Sequence, residues 1–235
     1  MKLILGLLLS FTAFFANTAY AASGKVELDT VELDLSDKAS LQRGAKTFMN
    51  YCLSCHSASY MRYNRMGKDL GLSDQQVKES LMFASDKVGD TMTVAMRPED
   101  AKKWFGVVPP DLSVISRARG TDWLYTYLRT YYLDADKPFG TNNLVFKDVG
   151  MPHILWQEQG YLRKDSDNQL HAVTGDQETA FEYNMMIRDL VNFLAYIGEP
   201  SKIERLALCK WVLLYLALFF FVAYPLKKAF WEDVH

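Results

Sequence analysis

Cys52-Leu53-Ser54-Cys55-His56 places two thiols three positions apart, with an imidazole directly after the second. At this spacing two thiols can add across the two vinyl groups of a haem, and the adjacent histidine is then held on the iron. Three other chemistries use similar residues. A zinc site needs four ligands, commonly a second Cys/His pair. The remaining candidates here are His153, His171, His235 and Cys209, which are scattered, and Cys209 lies in an apolar run. A thiol–disulfide exchanger places its cysteine pair at a helix start in a βαβ setting, whereas this pair follows a helical pattern. A plain structural disulfide would leave His56 unexplained. Covalent haem attachment is therefore the favoured reading.

Haem iron also needs a sixth ligand or an open position, and that choice sets function. Methionine raises the potential and suits electron transfer, whereas an open site suits binding or oxygen chemistry. The chain has ten methionines. A ligand must project from backbone that approaches the haem closely, and Val149-Gly150-Met151-Pro152-His153 offers such a loop. Met151 is the better candidate and His153 competes with it. Met61, Met66, Met82, Met92 and Met96 lie beside helical patterns and read first as core packing, as do Met185 and Met186.

Several elements must position these groups. Leu41, Ala45, Phe48 and Cys52 recur at helical spacing, which predicts a helix over 40–51. Ser73 followed by Gln76 has the form of a capping box opening a helix over 74–83. Pro98-Glu99-Asp100 suits a first helical turn. Thr121 is placed to cap a helix bearing Trp123, Leu124, Tyr127, Leu128 and Tyr131. A longer helix is expected over 178–196, with Met186, Leu190, Leu194 and Ile197 on its buried stripe and Gly198 and Pro200 ending it. Strand signals are few, and a small hairpin from 154–156 and 161–162 is one expectation. The alternating segment 26–35 reads as an extended arm.

The two ends are strongly apolar. Met1-Lys2, an apolar run to Phe15 and Ala19-Tyr20-Ala21 have the parts of a secretory signal, with cleavage expected after Ala21. From Leu206 to Leu226 there are 21 residues with one charge, Lys210. At about 1.5 Å per residue this covers roughly 31 Å, close to the hydrocarbon core of a bilayer. The organisation expected is a signal peptide at 1–21, an arm at 22–39, a haem domain at 40–203, a transmembrane helix at 206–226 and a tail at 227–235. The signal sets the orientation: the haem domain outside the cytoplasm, the tail inside. Export agrees with haem attachment, because c-type haem is attached on the outer side of the bacterial membrane.

Composition narrows the function classes. The chain has 235 residues, 49% apolar, 23% charged and 14% aromatic, which is not the composition of a disordered chain. A formal net charge of −2 gives no support for nucleic-acid binding. Three cysteines are too few for a disulfide-stapled scaffold. Two acidic groups stand out, Glu27 to Asp37 and Asp165 to Glu182. They read first as solvated surface, with steering of a basic partner as the alternative.

Taken in order, several blocks resemble one family. Arg43-Gly44-Ala45, Phe48, Cys52 to Ser57 and Met61-Arg62-Tyr63 are similar to the haem-attachment segment of cytochrome c1. Val108-Pro109-Pro110-Asp111-Leu112-Ser113 with Arg117-Ala118-Arg119, then Gly150-Met151-Pro152, resemble its second signature and its axial-methionine loop. Phe193-Leu194 to Glu199-Pro200, followed by one spanning helix, resembles its C-terminal end. The resemblance covers nearly all of residues 40–231.

This resemblance implies a mostly α, cytochrome c-like haem domain with insertions, anchored by one C-terminal transmembrane helix in the bacterial inner membrane and facing the periplasm. It implies one covalent haem c held by Cys52 and Cys55, with His56 and Met151 on the iron. Arg119 would meet a haem propionate, and Pro110 would pack beside the haem, where a nearby backbone carbonyl orients the His56 ring. Gly44 and Phe48 would mark the crossing of the first and last helices of the haem domain. The implied partners are cytochrome b, the Rieske iron–sulfur protein, a soluble cytochrome c and the lipid bilayer. The role is a non-catalytic electron relay inside a quinol–cytochrome c oxidoreductase. Two other readings stay open: a different anchored c-type cytochrome, such as an oxidase subunit, and an anchored thiol–disulfide protein.

Overall fold

The computed structural model describes residues 26–232, so the expected signal segment 1–21 and His235 lie outside the described residues. The domain is built on two crossing helices. Helix α1 (Lys38–Thr47) opens on Asp37, whose carboxylate accepts the Ser40 N–H, and continues as a π-helical turn over Phe48–Cys52. There the Leu53 N–H bonds to the Phe48 carbonyl, five residues back, at 3.0 Å. The expected helix over 40–51 is thus present but widens before the first thiol, a distortion that helical spacing does not reveal.

Strand β1 (Ala58–Arg62) leads into α2 (Tyr63–Leu70) and α3 (Asp74–Ser80). The Ser73/Gln76 capping box forms with both reciprocal hydrogen bonds, a motif worth about 1 kcal/mol. The helix ends at Ser80, earlier than the expected Phe83. Strand β2 (Thr91–Met92) pairs antiparallel with β1, and α4 (Pro98–Phe105) begins with proline in its first turn. Next come α5 (Ile115–Arg119) and α6 (Thr121–Arg129). Thr121 does not cap α6: the N-cap is Gly120, and Thr121 is the first helical residue. The positive φ of Gly120 lets the chain turn directly from one helix into the next.

The strand expectation needs correction. Trp156–Gln159 is a short helix, α7, and not a strand. The hairpin instead pairs β5 (Leu162–Lys164) with β6 (Leu170–Ala172), while β3 (Tyr131–Leu133) pairs with β4 (Thr141–Asn143). These three-residue strands are too short for period-two alternation to register.

Helix α8 (Gln177–Gly198) crosses α1. At the crossing, a Cβ on Gly44 would collide with the Asp189 carbonyl oxygen and come within 2.7 Å of Phe193 Cβ. Glycine therefore lets the two backbones touch. One turn on, Phe48 and Phe193 are fully buried with ring centroids 5.6 Å apart, an aromatic contact worth roughly 0.5–1.5 kcal/mol beyond its buried area. Of the expected α8 stripe, Leu190, Leu194 and Ile197 are buried and Met186 packs half-buried against them. The helix runs through Gly198 and is capped at Glu199, so glycine is its last residue and not its stop.

Segment 26–35 has no regular structure and lies extended on the domain. Asp29 N–H donates to Thr126 Oγ1 at 2.8 Å and Val31 N–H to Asp122 Oδ1 at 3.0 Å, while Asn192 Nδ2 holds the Asp34 carbonyl at 2.7 Å. The final helix α9 (Lys202–Phe230) has no buried residue, and among the described residues it is the one helix long and apolar enough to cross a membrane.

Candidate functional site

The two thiols sit where the π-helical turn ends. Cys52 is the last residue of that turn and is buried; Cys55 is half-exposed; both are free thiols. A tight turn follows, in which the Cys55 and His56 N–H groups both bond to the Cys52 carbonyl, at 3.0 and 2.8 Å. This turn projects His56 inward, with 8% of its surface exposed. Burial lowers the basicity of its ring, and the Pro110 hydrogen bond and nearby Asp111 oppose that shift only in part. The imidazole is neutral at pH 7. Burial also pushes the Cys52 thiol up to about 12.

The Val108–Ser113 block is clasped onto this turn. His56 Nδ1 lies 2.8 Å from the Pro110 carbonyl oxygen. A carbonyl only accepts, so Nδ1 carries the proton and Nε2 keeps its lone pair. Asp111 Oδ2 accepts from the Ser59 N–H at 3.0 Å and the Ser59 hydroxyl at 2.6 Å. Ser113 Oγ accepts the Tyr60 N–H at 3.0 Å, and the Leu112 N–H donates to the Ser57 carbonyl at 2.7 Å. The sequence assigned Asp111 and Ser113 no role. An Asp-x-Ser turn is a visible local signal, but its partner strand is not.

Met151 lies in the loop between β4 and α7. Gly150 packs tightly on Val107, where a Cβ would meet Val107 Cγ2 at 2.9 Å. Met151 is half-buried against the same core cluster that contains Cys52, Leu124, Tyr127 and Leu128. The Tyr127 hydroxyl donates to Met151 Sδ at 3.4 Å. Burial raises the Tyr127 hydroxyl's pKa, so it keeps its proton at neutral pH. Two residues on, His153 is buried and stacked on Tyr131, with centroids 4.8 Å apart and planes 8° apart. Burial pushes His153 down to about 4, so it too is neutral, and its Nε2 has no partner among the described residues. Tyr51, next to Cys52, donates to Glu158 Oε1 at 2.6 Å and so ties the thiol turn to the helix that follows the methionine loop.

Arg119 is exposed. Its guanidinium carbon lies 5.0 Å from the Trp123 ring centroid and 5.8 Å from that of Phe146. Among the described residues no carboxylate forms a salt bridge with it. Val107, Val108 and Phe146 expose apolar surface near Arg119 and Gly150. A groove of about 830 Å³ lies elsewhere, between the arm, α6 and the β5–β6 hairpin, and holds none of the donors above.

The donor set suits a haem. It has two free thiols, a neutral imidazole whose Nδ1 is already engaged, and a thioether, and among the described residues the Arg119 guanidinium has no carboxylate partner. No group of three or more His, Cys, Asp or Glu side chains gathers as a metal site among the described residues.

Comparison with known proteins agrees. The Cytochrome C1 family model matches residues 31–105 and 80–234. The chain is similar to cytochrome c1 of Allochromatium vinosum, 47% identical over 97% of this chain and 99% of that protein. It is as similar to a Nitrosomonas europaea protein named ammonia monooxygenase gamma subunit, 47% identical over 92% of this chain and 93% of that one. Cytochrome c1 of Rhodospirillum rubrum is 27% identical over 84% of this chain and 83% of its own length. With attachment motif, fold and these matches in agreement, the chain belongs to the cytochrome c1 family, whose members are haem-carrying electron-transfer subunits.

Proposed function

We propose that this chain relays single electrons from the Rieske iron–sulfur protein to a soluble cytochrome c. Membership of the family implies a bc1-type complex, with cytochrome b and the Rieske protein as neighbours. The observation that carries the reading is His56: it directly follows two free thiols and is pinned through Nδ1 to the Pro110 carbonyl at 2.8 Å. Bound haem c supplies a reversible one-electron iron couple. Cys52 and Cys55 would hold it through two thioether bonds. His56 would offer Nε2 to the iron, and the hydrogen bond at Nδ1 would set the ring's orientation and raise its donor strength. Met151 Sδ would be the second protein donor to the iron, and Arg119 would balance a propionate. With two protein donors for the iron, the site would leave no place for a substrate.

The anchor helix and the export signal set the haem domain in the periplasm, on the inner membrane. Tethering beside the donor makes the first transfer effectively intramolecular. A second reading follows from the Nitrosomonas relative, whose name assigns it to an oxidising enzyme. A saturated His/Met pair argues that a subunit built this way carries electrons to or from such an enzyme and does not bind oxygen.

A haem-stained denaturing gel of the membrane fraction, with spectra before and after reduction, tests the attachment. A colourless native chain from cells able to mature c-type haem returns the thiol–disulfide reading. Met151→Leu abolishes the methionine-to-iron charge-transfer band and lowers the potential; survival of the band removes Met151 as sixth ligand. Co-purification with a b-type cytochrome and a Rieske protein separates the relay from other anchored cytochromes.

A further inference from the structure

Two tyrosine hydroxyls behind Met151 reach that one residue, one at its sulfur and one at its backbone carbonyl. The Tyr127 hydroxyl lies 3.4 Å from Met151 Sδ and 2.7 Å from the Tyr131 hydroxyl, which itself reaches the Met151 carbonyl oxygen at 3.4 Å. Both rings are clamped. Tyr127 stacks on Trp123 with centroids 4.8 Å and planes 9° apart, and Tyr131 stacks on His153. The hydroxyl hydrogens can therefore turn while the rings stay still. Two arrangements satisfy the pair. In one, Tyr131 donates to Tyr127, and Tyr127 donates to the sulfur. In the other, Tyr127 donates to Tyr131, Tyr131 donates to the carbonyl, and the sulfur receives nothing.

We propose that Tyr127 is a positioning residue that tunes the redox centre: its hydroxyl donates to the free lone pair of the Met151 sulfur and stabilises the reduced state. The proposal rests on the reading of Met151 as the sixth ligand. A thioether sulfur has two lone pairs, and ligation uses one. Sulfur shared with ferric iron gives up electron density and accepts a hydrogen bond poorly. Sulfur shared with ferrous iron is richer and accepts it better. The hydrogen bond therefore favours reduction and raises the potential. One electron enters and no proton enters or leaves, because the hydroxyl hydrogen only turns between two acceptors. Tyr131 competes as the other acceptor, so it moderates the effect.

The test uses the purified full-length holoprotein, equilibrated with a redox mediator at fixed poise. Tyr127→Phe keeps the ring and its stack on Trp123. It lowers the reduced-to-oxidised ratio about three-fold, which is about 30 mV for a one-electron couple, and it shifts the charge-transfer band. Tyr131→Phe removes the competing acceptor, so its ratio stays at the wild-type value or rises. A purely structural role for the cluster would move both variants the same way. An unchanged ratio in Tyr127→Phe overturns the proposal, and so does an equal fall in the two variants. Met151→Leu, measured alongside, distinguishes the two failures. If its charge-transfer band persists, the ligand reading has failed. If the band is lost and Tyr127→Phe still matches wild type, only the tuning role has failed.

Discussion

Asp189 shows how one side chain joins the helix crossing to solvent conditions. Its carboxylate, 6% exposed, accepts from Arg43 Nε at 2.5 Å and from the Ser40 hydroxyl at 2.7 Å. Burial raises its pKa, but the Arg43 and Ser40 hydrogen bonds and the Arg43 charge outweigh that and hold it below the usual carboxylate value. A carboxylate whose folded pKa lies below its unfolded value, about 3.9, stabilises the fold above that pH. The contribution is lost as pH falls through the lowered folded value. Asp189→Asn is therefore expected to cost about 1–2 kcal/mol at pH 7 and to show a flatter loss of stability than wild type below about pH 4. Denaturant unfolding of the holoprotein at pH 7 and pH 3.5 checks this: a variant that loses stability with acid as steeply as wild type contradicts it. Arg43 and Gly44 were legible as a motif. Asp189, which the motif's arginine holds, was not, because a single acid in a helix carries no mark of burial.

Among the elements, the crossing of α1 and α8 depends most on a single atom's absence. Gly44→Ala would drive a Cβ into the backbone carbonyl of Asp189 and against Phe193. Neither helix can move without disturbing the Phe48–Phe193 contact, so overpacking here is expected to cost about 2–3 kcal/mol. A fall in the thermal midpoint of the holoprotein measures it; an unchanged midpoint would mean that the helices slide freely. The capping box at Ser73 and the proline at the start of α4 were readable because cap and first turn are contiguous in sequence. The β5–β6 hairpin and the end of α8 were not. Strands of three residues lack periodicity, and Gly198 ends inside the helix as the residue whose missing Cβ makes room for the Ser116 hydroxyl.

At the scale of the whole molecule, α9 is expected to be separable from the domain that precedes it. Helix α9 contributes no buried residue, so a chain ending at Ser201 loses no core contact. Such a chain is expected in the soluble periplasmic fraction, with the reduced and oxidised spectra of the intact protein. Cell fractionation followed by haem staining checks it, and retention in the membrane would show that the domain itself binds there. The acidic groups, meanwhile, are partly spent on the fold. Asp29 pairs with Arg129, Asp37 caps α1, Asp176 caps α8, and Asp165 organises its hairpin turn and holds His171. This favours the reading of both clusters as structural and solvated surface over a patch kept to steer a partner.

Sequence alone determined what adjacency can encode: the thiol–thiol–imidazole run, the Ser73 capping box, the apolar length of the anchor and the order of the family's blocks. These depend on residues within a turn or two of one another. Tertiary structure decided which distant atom meets each functional group: the family resemblance pointed only to a carbonyl near Pro110, and nothing in the sequence pointed to Tyr127. Pro110 lies 54 residues from His56, and Tyr127 lies 24 from Met151. A backbone carbonyl looks the same at every position, and a tyrosine that donates to sulfur is spelled like one that fills a core. Only the packing that brings these atoms to hydrogen-bonding distance tells them apart.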